Sequence, residues 1–532
     1  MSNAASSTAS PRRADPPAPL TGATLALLTV GLAFGTFMEV LDTSIANVAV
    51  PTISGSLAVA ASDGTWIISS YSVAAAIAVP LTGWLARRVG EVRLFTLAVL
   101  AFTIASALCG LAANFESLIA FRLLQGLVSG PMVPLSQTIL MRSYPPQKRG
   151  LALGLWAMTV IVAPIFGPVM GGWITDNYSW PWIFYINVPL GIAAAIMTFL
   201  YVPNAEHQER AETIDFWGIL LLALGIGSLQ WMLERGERFD WFESRFVTTL
   251  GVIALVSLVG LVWRELTIDE PVIDFRVLKS RQLTAGVAFA TLLGFALYGS
   301  VFILPVFLQQ LHGFTAWQTG KVILPGALAS AFTMAIVGRN ARRLDARYTV
   351  VAGAFLFFLA MYKLSLMTYD SGTDELWWPL IFRGVGLGLI FVPLTNAAMA
   401  DLDVSQLHQG TGLFNLTRQL GGSLGIALMA TMLARFVKTN KALLTEHVVS
   451  TDPAVLARMD AMTRNLMSRG ADLTTAKMQA MRVIDMQISG QASVLAFSRI
   501  YILSGLALVG ALPLLLLFKT GRARGSGAAI SH

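Results

Sequence analysis

Long apolar stretches follow one another along almost the whole chain, separated by short polar loops. About twenty residues of helix are needed to cross the hydrocarbon of a bilayer, so each stretch predicts a transmembrane helix. The predicted fold is an all-α polytopic membrane protein with fourteen spans, numbered here in chain order. They lie near 23–49, 64–86, 94–113, 117–141, 150–174, 181–202, 214–233, 246–264, 283–309, 316–338, 348–368, 376–400, 408–434 and 498–518.

Three segments fall outside this pattern. Residues 1–22 are rich in Pro, Ser and Ala and have no apolar core, which predicts a disordered cytoplasmic tail, not a cleaved signal peptide. Residues 519–532 predict a second tail. Residues 435–497 form the one long polar loop, in which Met478, Met481, Ile484 and Ile488 recur at helical spacing and predict an amphipathic helix.

Composition and charge support a membrane protein and set its orientation. Only 13% of residues are charged, against roughly 25% in soluble domains. The net charge of +7 comes from basic loops, so it predicts no binding of nucleic acid. The loops on one side, called the basic side below, should be cytoplasmic, with both termini, and the long loop should lie outside. These loops contain Arg87, Arg88, Arg93, Arg142, Lys148, Arg149, Arg264, Arg276, Lys279, Arg281, Arg339, Arg342, Arg343 and Arg347, whereas the alternate short loops have almost none apart from Arg235, Arg238 and Arg245.

The chain contains an internal repeat. The pattern G-x-x-A-R-R begins at Gly83 after span 2 and again at Gly338 after span 10. A proline at Pro51 and Pro305, and a Phe-Arg pair ending at Arg122 and Arg383, keep nearly the same offset. The repeat predicts a first half of spans 1–6 (23–203), an inserted hairpin of spans 7–8 (204–265) and a second half of spans 9–14 (266–518).

Two six-helix halves in parallel are typical of secondary transporters, whose binding site lies between the halves. The chain is therefore predicted not to be an enzyme. An ATP-driven pump would need G-x-x-x-x-G-K-[ST], and the nearest string, which starts at Gly313, has the wrong spacing. The five histidines are scattered, with no pattern typical of a metal site. A non-transporting sensor is the alternative from another class, and it would release no protons when substrate is added.

Two carboxylates and one arginine stand out inside the spans. Glu39 and Asp42 lie three residues apart in span 1, where ionisable groups are costly and usually functional. In span 4, Arg122, Gln125 and Ser129 form one polar stripe, and Arg122 lies at a depth similar to that of Asp42. The pair can be a structural ion pair, or Asp42 can carry a proton whose binding Arg122 tunes.

Several motifs together resemble one family. "GWLARRVGEVRLF", "LIAFRLLQGLVSGP" and "APIFGPVMGGWITD" resemble the loop 2–3, span 4 and span 5 signatures of the major facilitator superfamily. "LDTSIANVAVP" resembles the first-span signature of its fourteen-helix drug:proton antiporters, and nearly the whole chain is similar to the EmrB type. Three positions depart from the family pattern: Arg87 replaces the usual Asp, Ser44 a Thr, and Ala163 a Gly.

The resemblance implies a function and partners. It implies an inner-membrane pump that exports hydrophobic drugs or toxic amphiphiles in exchange for protons, with no cofactor besides the proton gradient. It also implies a periplasmic adaptor resembling EmrA and an outer-membrane channel such as TolC, and we expect the long loop to contact the adaptor. The alternative function is a dedicated exporter of one natural compound, such as a fatty acid or siderophore. The alternative for the long loop is a helix that only covers the outer opening of the transporter.

The resemblance also favours roles for individual residues. Asp42 is expected to be the principal proton carrier, with Glu39 auxiliary and Arg122 the tuning charge. Gly167 and Pro168 match the antiporter motif of span 5, where a kink and close helix contact suit rocking of the halves. The remaining candidates for the substrate cavity or the gates are Gln125, Ser129, Asn415, Arg418 and, more weakly, Trp66 and Tyr71.

Overall fold

The computed structural model describes residues 22–145, 147–201, 215–341, 343–369, 371–403, 406–448 and 452–518, apart from the side chains of 61, 62, 165, 310 and 316. All regular elements in these ranges are helical. Residues 1–21 and 519–532 of the predicted tails, the start of the inserted segment (204–214) and Arg342 lie outside the described residues.

Fourteen helices in the described ranges are long and apolar enough to cross a membrane, which confirms the predicted number of spans. Most bounds lie within a few residues of the predicted ones. The spans are Gly22–Ser56, Trp66–Val89, Glu91–Gly110, Phe115–Ser143, Arg149–Asn177, Trp182–Tyr201, Phe216–Arg235, Arg245–Thr267, Arg281–Gln309, Trp317–Arg339, Ala346–Ser365, Thr373–Met399, Leu407–Glu446 and Leu473–Leu517.

The last two spans differ from the prediction because their helices continue far beyond the apolar stretch. The helix of span 13 runs on to Glu446, and that of span 14 already begins at Leu473. A third helix, Pro453–Ser468, lies between them and packs against span 14. Most of segment 435–497 is therefore helical, because polar residues extend a helix readily once its apolar part is anchored.

Four spans are interrupted or change helix type. In span 14, the α-helix ends at Gly510 and a 3₁₀-helix, Leu512–Leu517, follows. Span 4 consists of Phe115–Ser129 and Met132–Ser143, joined at Gly130 and Pro131. Span 6 consists of Trp182–Tyr185 and Asn187–Tyr201. Span 9 contains Pro305 and ends in a π-helical turn, Phe307–Leu311, since proline cannot donate its backbone hydrogen bond.

The two halves meet closely on the basic side. Spans 5 and 10 approach each other through Gly150, Gly154 and Gly338, where an added methyl group would collide with the opposite backbone. Gly83 of span 2 likewise faces Gln409 of span 13. Small residues let membrane helices pack this closely, so both inter-half seams depend on them.

The inserted hairpin lies at the edge of the molecule and contacts both halves. Span 7 packs on span 2 of the first half and on span 13 of the second. Gln230 donates to Ser423 of span 13 over 2.8 Å, and Trp241 donates to Thr431 over 3.0 Å. On the other side, Arg235 donates to Ser69 of span 2. The hairpin therefore bridges the halves from outside.

Candidate proton-coupling site and gate

A buried ion pair joins spans 1 and 4. Nη1 of Arg122 lies 2.6 Å from Oδ2 of Asp42, and both side chains are 0% exposed. Nε of Arg122 donates to the backbone carbonyl of Ile67, and the ring of Tyr71 lies 4.5 Å from the guanidinium carbon. Removing one member of such a pair leaves an uncompensated buried charge, so the pair strongly constrains both helices.

Amides complete the surroundings of the carboxylate. Gln125 and Asn187 both donate to Oδ1 of Asp42, over 3.1 and 2.8 Å. Gln125 also accepts from Arg122, and Asn187 donates to Ser106 of span 3. Asp42 thus links spans 1, 4 and 6 through hydrogen bonds to both of its oxygens.

Glu39 occupies a different environment, although the sequence placed it on the same face as Asp42. Its side chain is half-buried, lies near the backbone of Val133 in span 4, and interacts electrostatically with Arg418 of the second half. One of its oxygens is buried and has no hydrogen-bond partner. Asp42 therefore points into the first half, whereas Glu39 faces the interface between the halves.

A polar stripe leads from Glu39 away from the basic side. Thr43 and Asn47 follow Glu39 at intervals of four residues, one helical turn each. Thr43 is half-buried and Asn47 is exposed. An exposed amide inside a membrane span is favourable only where water reaches it. The stripe therefore marks a polar path along span 1 that leads from Glu39 toward the side opposite the basic side.

The antiporter motif packs span 5 against span 1. Pro168 has no N–H, so the carbonyl of Pro164 lacks its partner within the helix. The Ser44 hydroxyl donates to this carbonyl over 2.6 Å. A methyl group on Gly167 would collide with Ser44. The serine at position 44 thus supplies the hydroxyl that a threonine would supply, and the departure from the family pattern preserves this contact.

In the second half, polar side chains of span 13 face the first half. Arg418 donates to the Tyr298 hydroxyl over 2.8 Å and to Asn415 over 3.0 Å. Its guanidinium carbon also lies 5.7 Å from the ring centre of Phe391. Arg418 is therefore held by uncharged groups, with Glu39 as an acidic neighbour across the interface.

Two hydrogen bonds join the halves near the basic side. Asn415 donates to Gln137 over 2.7 Å, and the hydroxyls of Thr138 and Thr411 are 2.8 Å apart. All four side chains are buried. Since they belong to spans 4 and 13, these contacts join the two halves on the basic side, and the four residues form a candidate gate.

The pair Thr138→Cys and Thr411→Cys tests this gate. Sulfur atoms placed near the two hydroxyl positions can approach the about 2.0 Å of a disulfide bond. In a Cys109→Ser background, which removes the chain's single cysteine, oxidation should cross-link the pair and stop export, and reduction should restore it. The readout is drug export before and after dithiothreitol.

The control combines Thr138→Cys with Thr417→Cys, because the Thr417 hydroxyl bonds within the second half and faces away from Thr138. This pair should neither cross-link nor lose export. Full export with the 138–411 disulfide formed would show that the contact is not a gate.

The remaining candidates lie within the first half or against the hairpin. Ser129 donates to Gly126 of its own helix. Tyr71 is buried behind Arg122, and Trp66 packs under Arg235 and beside Trp231 of the hairpin. Tyr71 also interacts electrostatically with Glu39. Roles for Trp66 and Tyr71 in substrate binding stay predictions.

Two side chains of the candidate site, Asn187 and Gln137, could not be recognised from the sequence. Asn187 and Gln137 look like ordinary polar residues at the ends of apolar segments, and only their hydrogen bonds to Asp42 and Asn415 reveal them. Arg87, the departure in loop 2–3, donates to the carbonyl of Pro271 between spans 8 and 9. Acidic residues surround it there, among them Asp274 and Glu270, so the substituted side chain has matching partners.

Comparison with known proteins assigns the class. Residues 32–426 match the model of the Major Facilitator Superfamily, and the chain belongs to this family. The fold agrees with the human organic anion transporter MFSD10, at TM-score 0.57 and 14% identity over 91% of this chain and 98% of that one. A bacterial homologue of the lysosomal transporter Spinster, in its inward-facing occupied form, gives TM-score 0.51 at 18% identity over 92% and 96% of the two chains.

Within the family, the chain is similar to drug exporters. It is 40% identical to the multidrug export protein EmrB of Escherichia coli over 97% of this chain and 99% of the relative. It is 39% identical to the fatty acid resistance protein FarB of Neisseria gonorrhoeae over 96% and 99% of the two chains. These findings confirm the EmrB-type resemblance. The chain is a multi-pass membrane protein and a multidrug efflux transporter.

Proposed function

We propose that this transporter exchanges protons for hydrophobic drugs or toxic amphiphiles across the inner membrane, with its basic side cytoplasmic. The buried pair of Asp42 and Arg122 carries the proposal. A carboxylate in a membrane span marks proton relays in transporters. Here the carboxylate bonds directly to the first helix of span 4, whose second helix carries the candidate gate residues Gln137 and Thr138.

The geometry supports a coupling mechanism through span 4. A proton that binds Oδ2 of Asp42 takes the position of the Arg122 bond and cancels the charge that holds the guanidinium. The contact between spans 1 and 4 then weakens. Movement of span 4 reaches Gln137 and Thr138 and opens the gate to span 13. Glu39, at the interface, is the auxiliary site through which protons from the opposite side reach Asp42.

The interface suits amphiphilic substrates. Arg418 and the half-buried Glu39 supply one charge of each sign, among aromatic side chains such as Phe391. Both charges in a mostly apolar setting allow substrates of either sign to bind. A dedicated fatty acid exporter is the second candidate, which the relative named FarB favours.

Proteoliposomes that contain a pH dye inside test the proposed exchange. With an imposed proton gradient, addition of a hydrophobic drug should cause proton movement in the direction opposite to the drug. No proton movement during measurable drug transport would refute the coupling. Proton movement with long-chain fatty acids alone, and with none of several drugs, would favour the second candidate.

We also propose that the helical extensions outside the membrane contact an adaptor resembling EmrA, which leads to an outer-membrane channel such as TolC. Span 14 packs there through Ala476 and Ala480, so the predicted apolar face is not its packed face. Instead, Met478 and Met481 are 55% and 62% exposed. Clustered exposed apolar side chains mark interaction surfaces. They support contact with an adaptor over a helix that only covers the outer opening of the transporter.

The double variant Met478→Glu and Met481→Glu should therefore reduce co-purification of such an adaptor by at least about tenfold, because charged groups would be buried at the contact. Gln479→Glu with Gln491→Glu adds the same charge at two other exposed positions of the helix and should leave binding unchanged. Equal adaptor recovery with both double variants would place docking elsewhere.

A further inference from the structure

The second half contains a buried arginine that lacks a counter-charge. Arg383 of span 12 is 5% exposed. Its one side-chain hydrogen bond within the described residues runs from Nη1 to the carbonyl of Ser300, at 3.5 Å. No carboxylate of the described residues forms a salt bridge with it. An isolated charge in such surroundings is costly, and arginine keeps its charge in proteins.

The internal repeat shows what is missing. Arg383 corresponds to Arg122 in the first half, where Asp42 supplies the negative charge. Asp42 lies nine residues before Pro51, and the residue nine before Pro305 is Ala296, which is buried. Ala296 lies one turn from Ser300 on the same face of span 9. The second half thus keeps the arginine and replaces its carboxylate with a methyl group.

Two hydroxyl groups of span 14 lie close to Arg383 or to Ala296. Tyr501 interacts electrostatically with Arg383, and its buried hydroxyl has no hydrogen-bond partner. Ser504, one turn further along span 14, donates only weakly to the carbonyl of Ala296, at 3.4 Å. Both residues are 1% exposed. Three side chains, one cationic and two hydroxylic, therefore offer donors where the first half has a carboxylate.

We propose that Arg383, Tyr501 and Ser504 bind a small monovalent anion, such as chloride, inside the second half. A set of donors with one positive charge favours a single negative charge. All three side chains are buried, so we expect the site to take one small ion and to exclude bulky organic anions. The bound anion balances the charge of Arg383, as Asp42 balances that of Arg122 in the first half, and so stabilises the folded second half. This proposal does not depend on the substrate or on proton coupling.

Thermal unfolding of the full-length protein in detergent tests the site, with chloride replacing gluconate at constant ionic strength and pH. The Tm of the wild type should rise by about 1–3 °C and saturate with chloride concentration, as expected for a ligand that binds only the folded state. Arg383→Gln should show no saturable rise. Tyr501→Phe, which keeps the ring, should shift the midpoint to higher chloride concentration.

Arg435→Gln removes an exposed arginine of span 13 and should retain the full chloride response. If Arg383→Gln does not fold, Arg383→Lys serves instead and should weaken the response without abolishing it. The same Tm in both salts for the wild type would overturn the proposal. So would an equal saturable rise in the wild type and Arg383→Gln, because the response would then arise elsewhere.

Discussion

Asp42→Asn is expected to abolish drug-driven proton exchange, to the level of empty liposomes, while the protein still folds and binds drug. Asparagine can keep hydrogen bonds to Gln125 and Asn187, but it cannot bind a proton or neutralise Arg122. The measurement is proton movement into dye-loaded proteoliposomes on addition of drug, alongside drug binding by tryptophan fluorescence. Asp42→Glu retains the carboxylate and should keep part of the exchange.

Loss of stability must be separated from loss of coupling. Asp42→Asn leaves the buried Arg122 without a counter-charge, which typically costs about 3–5 kcal/mol. The double variant Asp42→Asn with Arg122→Gln removes both charges and should recover most of the thermal stability but none of the exchange. If Asp42→Asn transports drug against a gradient at the wild-type rate, the carboxylate is structural, and Glu39 becomes the first residue to test.

The second large effect is expected from Gly167→Ala. This variant should lose most of its drug export, while its expression stays nearly unchanged. The added methyl group would collide with Ser44 and push span 5 from span 1. It would also strain the bond from the Ser44 hydroxyl to the Pro164 carbonyl, which no backbone donor can replace. Overpacking of this kind costs about 1–3 kcal/mol, and export of a fluorescent drug from cells measures the effect.

Gly412→Ala is the matched control, since Gly412 also lies within a membrane helix but has open space around its Cα hydrogen. It should export drug at the wild-type rate. If both variants lose export equally, the cause is a general sensitivity to added side chains. If Gly167→Ala exports normally, the close contact between spans 1 and 5 is not needed for rocking.

Much of the architecture could be predicted without coordinates. Span length and apolar periodicity are local properties of a helix in lipid, so the fourteen spans follow from the sequence. The depth of Asp42 and Arg122 follows from the helical rise, and their pairing confirms that estimate. In the predicted loop at 435–497, the apolar residues at helical spacing correctly predicted a helix, which the structure has within Leu473–Gly510. The extension of span 13 to Glu446 and the helix Pro453–Ser468 were missed, because polar helices outside the membrane have no apolar stretch to mark them.

The sequence by itself determined the class of protein, the spans and the pair of opposite charges at one depth. Only the tertiary structure decided which neighbours each side chain meets. Periodicity gives a direction around one helix axis, but the partner depends on how neighbouring helices cross and how closely they pack. For this reason Asp42 faces Asn187 inside the first half, while Glu39, one turn away, faces Arg418 across the interface. The contact of Thr138 with Thr411 likewise exists only because the halves close on the basic side.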